Sequence, residues 1–131
     1  MVKRWIIIIC IAILLVVGGI LETKYTQDSL CWLIESVQDL EQDLKANKEG
    51  IDSKAYIKKA NAIDDEWDHK LDVLKCLVWH SCVKDIEIGL ARIVVYIEEN
   101  DFTEAYAECE SLIDYAKHYL DDFKITLENI L

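Results

Sequence analysis

Apolar residues follow two different patterns along this chain. From Trp5 to Leu21 they form one unbroken run, "WIIIICIAILLVVGGIL", closed by Arg4 on one side and Glu22 on the other. From Leu30 they come instead in steps of three and four: Leu30, Leu33, Val37, Leu40 and Leu44. Such steps place a narrow stripe along one side of a helix, which then needs a partner to cover it. Ala60, Ile63, Trp67, Leu71, Leu74 and Val78 make a second, broader face, and Val83, Ile86, Leu90, Ile93 and Ile97 a third in a new register. The change of register predicts a kink or tight turn near His80 and Ser81; the alternative is one uninterrupted helix from residue 53 to about 98. The last stripe is the most regular: Phe102, Ala105, Cys109, Leu112, Ala116, Tyr119, Phe123, Leu127 and Ile130.

Matched stripes on segments with short connections hide one another best as an up-and-down bundle. The predicted class is therefore all-α, an N-terminal transmembrane helix followed by an antiparallel three- or four-helix bundle. The first stripe either continues the apolar run as one helix or starts afresh at a cap on Asp28 or Ser29. Asn47, Lys48, Glu49 and Gly50 form the first credible turn, with Gly50 suited to positive φ, and Asp52 or Ser53 able to cap the next helix. Asp101 with Glu104 reads as a capping box for the last helix.

The apolar run holds 17 residues without a charge, reaching about 26 Å as a helix against a hydrocarbon core of ~30 Å. Lys3, Arg4 and the interfacial Trp5 can close the difference. A cleaved signal has a shorter apolar region and a small-x-small site, for which Val17-Gly18-Gly19 is a poor candidate. Residues 1–21 are thus read as a retained anchor crossing the bilayer through residues 5–21. Residues 22–131 form one domain. Lys3 and Arg4 before the run, with Glu22 rather than a cation immediately after it, place the N-terminus in the cytoplasm and the domain outside. Cys10, within the run, is a small apolar membrane residue.

Charge narrows the partners. The chain of 131 residues has a formal net charge of −11; without Lys3 and Arg4, 12 basic residues face 25 acidic ones, or −13 on the remainder. Such a surface repels phosphate backbones, which argues against nucleic acid. The lack of proline, with only Gly50 and Gly89 after the first segment, favours long helices. Asn100-Asp101-Phe102-Thr103-Glu104-Ala105-Tyr106 looks like the opening of a tetratricopeptide helix, but no companion recurs at the proper period.

Trp67, the stretch from His80 to Leu131 and the short membrane segment together carry a resemblance. The marks are His80-Ser81, Gly89-Leu90-Ala91-Arg92, Glu104-Ala105 and Leu127-Glu128-Asn129-Ile130. In these the chain resembles a family of uncharacterised small single-pass membrane proteins from spore-forming clostridia. The resemblance implies no activity. It does imply a partner in the same membrane, since members tend to be encoded beside other small envelope membrane proteins. At Cys82 the chain departs from the family pattern, which has an acidic residue two positions after the histidine.

Candidate chemistry is sparse. Cys31, Cys76, Cys82 and Cys109 could form two disulfides in any of three pairings, yet Cys109 is a stripe residue and Cys82 lies on an apolar side, which favours buried thiols. His69, Cys76 and His80 share one side of a helix, and their donors suit zinc. His69 and Cys76 are about 10.5 Å apart along the axis, so only Cys76 and His80 could chelate together, with a third ligand such as His118 from the last helix. Trp67 and Trp79 are read as core anchors. Asp64-Asp65-Glu66, Glu98-Glu99 and Asp121-Asp122 are read as solvated faces and helix ends. No phosphate loop, catalytic triad order or HExxH motif is present. The sequence therefore points to no catalytic, cofactor or metal residues. It suggests a non-enzymatic envelope protein that binds another membrane protein or itself, with a ligand-sensing or metal-binding bundle as the alternative.

Overall fold

The structure, a computed structural model, describes residues 1–74 and 80–130; for residues 80, 81, 123 and 125–130 it describes the backbone. Four helices make up the fold: α1 (Val2–Ala46), α2 (Lys54–Leu74), α3 (His80–Glu98) and α4 (Phe102–Ile130). Each packs against its chain neighbours, α4 closes the ring on α1, and among the described residues the diagonal pairs make no close backbone approach. Contacts between neighbours run in opposite directions along the axes. Lys59 of α2 meets Asp39 and Asp43 of α1; Arg92 of α3 approaches Glu108 of α4, while Asp85 and Tyr115 of the same helices also meet. This is the expected antiparallel bundle, with four helices.

The stripes account for the core. Leu30, Leu33, Val37, Leu40 and Leu44 are buried, as are Ala60, Ile63, Trp67, Leu71 and Leu74, and Val83, Ile86, Leu90, Ile93 and Ile97. On α4, Ala105, Cys109, Leu112 and Ala116 are buried and Phe102 and Tyr119 pack against the core. Val78 and the side chains of Phe123, Leu127 and Ile130 lie outside the described residues. Ile113 and Leu120 join the α4 face, making it wider than its heptad stripe. Each such aliphatic side chain removed from water contributes about 1.5–3 kcal/mol.

α1 is one helix of 45 residues, about 68 Å long. No fresh start occurs at Asp28 or Ser29. The Thr23 hydroxyl donates to the Gly19 carbonyl and the Thr26 hydroxyl to that of Glu22, so neither leaves a polar group unsatisfied where the helix enters the bundle. Residues 1–21 are wholly exposed, while Thr26, Ser29 and the stripe from Leu30 are buried.

The expected joint near His80 and Ser81 falls at the α2–α3 connection: α2 ends at Leu74, both of these residues belong to the start of α3, and residues 75–79 between them lie outside the described residues. The alternative, one uninterrupted helix from residue 53 to about 98, is not formed: α2 and α3 lie side by side, with Asp64 feeling the charge of Glu87.

The opposite end of the bundle is built differently from expectation. Gly50 does not adopt positive φ; Asn100 does, at 56°. Asn100 ends α3 in a Schellman arrangement, its N–H donating to the Ile97 carbonyl and that of Asp101 to the Tyr96 carbonyl. Its side chain then crosses to the α1–α2 turn: Oδ1 accepts from the Ile51 N–H at 3.1 Å and Nδ2 donates to the Glu49 carbonyl at 3.3 Å. Ile51, fully buried, plugs this end of the core. Ser53 caps α2, accepting from the Tyr56 N–H. Asp101 caps α4 through the Glu104 N–H at 3.1 Å, but its own N–H serves the Schellman bond, so the capping box is half formed.

Candidate functional site

The most distinctive surface is the lower half of α1. Trp5 through Leu21 projects from the bundle with every large apolar residue exposed, and the sequence there has the length and composition of a membrane span. A signal sequence near an N-terminus can have the same length and composition. Where the projection meets the bundle, Gly18, Leu21, Glu22 and Tyr25 of α1 and Val73 of α2 border a shallow apolar hollow.

Within the bundle, charged residues tie the helices at their margins. Lys59 sits 2.6 Å from Asp39 and 2.5 Å from Asp43; burial opposes its charge, and the two carboxylates outweigh that and hold its pKa above the usual value. Lys45 pairs with the largely buried Glu41 at 3.1 Å and lies over the Tyr106 ring, joining α1 to α4. Lys70 lies over Trp32. Apart from the buried Glu41 carboxylate, the groups in these ties are exposed or half-exposed, so each contributes little to stability.

A polar cluster at the edge of the core joins α3 to α4, with Tyr115 still partly open to solvent. Cys82 is buried beside the hydroxyls of Tyr115 and Tyr119, and Tyr115 donates to Asp85 at 3.2 Å. Burial pushes the Cys82 thiol up to about 11, against the pull of the two tyrosine hydrogen bonds. Tyr119 rises to about 12 and Tyr115 rises too, burial again leading in both. A reactive cysteine needs the reverse shift. All three groups stay protonated near neutral pH and act as a hydrogen-bonded wedge between the helices. Sequence reasoning missed this cluster; its only sequence signal is the i, i+4 pair Tyr115 and Tyr119, and what they meet is set by tertiary packing. Beside it, Gly89 lets α4 come close: a Cβ there would sit 3.1 Å from the Leu112 Cδ1.

The four described cysteines are all free; Cys10 and Cys31 are exposed, Cys82 and Cys109 buried. Burial, followed by the charge of Glu41, pushes the Cys109 thiol up to about 12. The thiol reading therefore fits Cys82 and Cys109, while Cys31 faces solvent and Cys76 lies outside the described residues. His69 is exposed on α2, and His118 is exposed on α4, 3.9 Å from Asp122. Their helices are diagonal, with no close backbone approach among the described residues. Of the proposed chelating pair, Cys76 lies outside the described residues and His80 is described by its backbone. Among the described residues, no three metal-capable groups come together.

Trp67 is buried as a core anchor, and its Nε1 has no acceptor among the described residues; Trp79 lies outside them. Asp65, Glu66, Glu98, Glu99, Asp121 and Asp122 are exposed, whereas Asp64 is half-buried. Burial raises the Asp64 carboxyl, with Asp68, Asp65 and Glu87 adding to it.

No curated protein and no solved structure matches the chain. Residues 21–130 match the family described as Domain of unknown function (DUF4363), and the chain belongs to that family.

Proposed function

We propose that this DUF4363 family member is a single-pass envelope membrane protein whose outer bundle binds or braces another membrane protein and carries out no catalysis. Residues 5–21 cross the bilayer, the N-terminus faces the cytoplasm and residues 22–131 lie outside. The observation that carries this reading is the continuity of α1 from its exposed apolar half into the core stripe. A helix that spans lipid at one end and forms a quarter of a bundle at the other couples the two mechanically. A flexible tether would not. The retained anchor draws support from the two cations before the run and the absence of a good cleavage site after it. The neutral Cys82, Tyr115 and Tyr119 cluster supports a packing role for the interior.

The test is made on intact cells at native abundance, with Cys76→Ser leaving Cys31 as the accessible outer thiol. A membrane-impermeant maleimide labels Cys31 without permeabilisation, the mature chain retains its first residues by intact mass, and crosslinking followed by affinity capture recovers a membrane protein. A mature chain starting downstream of Gly19 contradicts the anchor. Labelling that requires permeabilisation contradicts the topology. Recovery of the chain alone contradicts the hetero-partner.

A further inference from the structure

α3 shows solvent a different face from its neighbours. Its own core residues, Val83, Ile86, Leu90, Ile93 and Ile97, point inward, yet the opposite side carries Ile88, Ala91 and Val95. Ile88 is 40% and Val95 47% exposed, and Ala91 between them is also exposed. The steps are again three and four, so α3 carries two stripes, one covered by α2 and α4 and one left open by the described residues. On α4, by contrast, the exposed positions include Glu104, Glu110, Asp114, Lys117 and His118, and Tyr115 is the one large apolar side chain exposed among those described.

We propose that the outer stripe of α3 is the seam of a parallel homodimer, in which Ile88, Ala91 and Val95 meet their counterparts and Glu87 pairs with Arg92 of the partner subunit. In heptad terms Ile88 and Val95 occupy a positions and Ala91 the d position between them. β-Branched residues at a favour two parallel strands. The flanking charges select the same arrangement. Glu87 takes the g position on the α2 side and Arg92 the e position on the α4 side; in a parallel pair each g residue faces the e residue five positions later in the other chain. Both are exposed, and among the described residues the Arg92 guanidinium makes a long, 4.0 Å approach to Glu108. Asp64 stands near Glu87 and deepens the acidic flank that receives Arg92. Lys84 and Glu98, at the next d positions, would each face a like charge, which confines the seam to residues 87–95.

The geometry suits two chains standing the same way up in one bilayer, so the orientation rests on residues 5–21 being a retained anchor. α3 stands diagonally opposite α1. The seam therefore lies at the centre of the dimer and the two anchors at its outer flanks, where they stay open to another membrane protein. A seam of little more than one heptad is at the low end of interface size. Confinement to a shared membrane plane supplies the effective concentration it needs.

The full chain is reconstituted in vesicles at low density, with Cys10, Cys31 and Cys76 replaced by serine. Ala91→Cys is expected to form a disulfide-linked dimer on mild oxidation, and Ala62→Cys, on the exposed side of α2, to stay monomeric. Glu87→Arg and Arg92→Glu each lower the Ala91→Cys crosslink roughly fivefold, as expected for exposed pairs turned repulsive, and the double exchange restores it. A helical chain that floats with the vesicles but gives no crosslink at position 91 overturns the dimer alone, and so does a double exchange no better than either single one. A chain that does not float overturns the anchor, and the parallel orientation with it.

Discussion

The two halves of α1 obey opposite solvents within one unbroken helix. Residues 5–21 are apolar all round and wholly exposed; residues 26–44 bury one side and leave the other polar. In water the first half has no stable partner, since each apolar side chain gains by leaving it. In lipid the second half could not satisfy its charges. The helix is therefore marked by its own sequence for a boundary near Glu22. In the proposed membrane-anchored form, continuity across that boundary makes the bundle a rigid extension of the span.

Separate disruption of the two halves sharpens the contrast. Leu33→Ala, in the fully buried stripe, is expected to cost the bundle about 2–5 kcal/mol, read as a lower urea midpoint for the full chain in detergent, without loss of membrane flotation. Val16→Arg, in the exposed half, is expected to oppose insertion by about 2.5–3.5 kcal/mol. It should shift the chain out of the membrane fraction while leaving the urea midpoint nearly unchanged. If either variant produced the other's effect, the division of labour within α1 would be wrong.

A smaller effect comes from the buried thiols. Their ordinary value of 9.0 is raised to about 11 for Cys82 and about 12 for Cys109. The folded state thus holds protons that the unfolded chain releases first. Stability from this source is complete below pH 9 and falls as pH rises through 11 and 12, by roughly 1.4 kcal/mol per pH unit for each thiol. Cys109→Ala should make the decline shallower in a series of urea melts from pH 8 to 11; an unchanged slope would mean that the thiol is not sealed from solvent. Smaller still, Asn100→Ala loses the left-handed cap and the tie to residues 49–51 and should cost about 1–2 kcal/mol. Asn100→Gly keeps the backbone and should cost less, by thermal melting.

The helices were legible in the sequence because a bundle core is a periodic object. Every described residue of the first three stripes is buried, since a period of three and four is enough to say which side of a helix must hide. The turns were not legible in that way. Gly50 invited positive φ on local grounds, but the left-handed residue is Asn100, chosen because its side chain can also hold the turn 49 residues earlier at Ile51. Glu41 escaped notice for a similar reason: it borders the stripe, and the approach of α4 buries it against Lys45. The sequence pattern puts Cys82 on an apolar side, yet only tertiary packing supplies its two tyrosine partners. The outer stripe on α3 was hidden by abundance, because a helix so rich in Ile and Val masks a second face behind the first.

The central claim is that α1 persists as one helix from retained anchor to core. The direct measurement is the distance between spin labels at Leu14→Cys and Glu35→Cys in the membrane-inserted chain, with Cys10, Cys31 and Cys76 replaced by serine and the labelled protein diluted with unlabelled protein. A continuous helix predicts a narrow distribution near about 32 Å, from 21 residues at 1.5 Å each. A broad distribution would put a hinge between the halves. Loss of the dipolar signal altogether, because the first label has been cleaved away, would contradict the anchor itself.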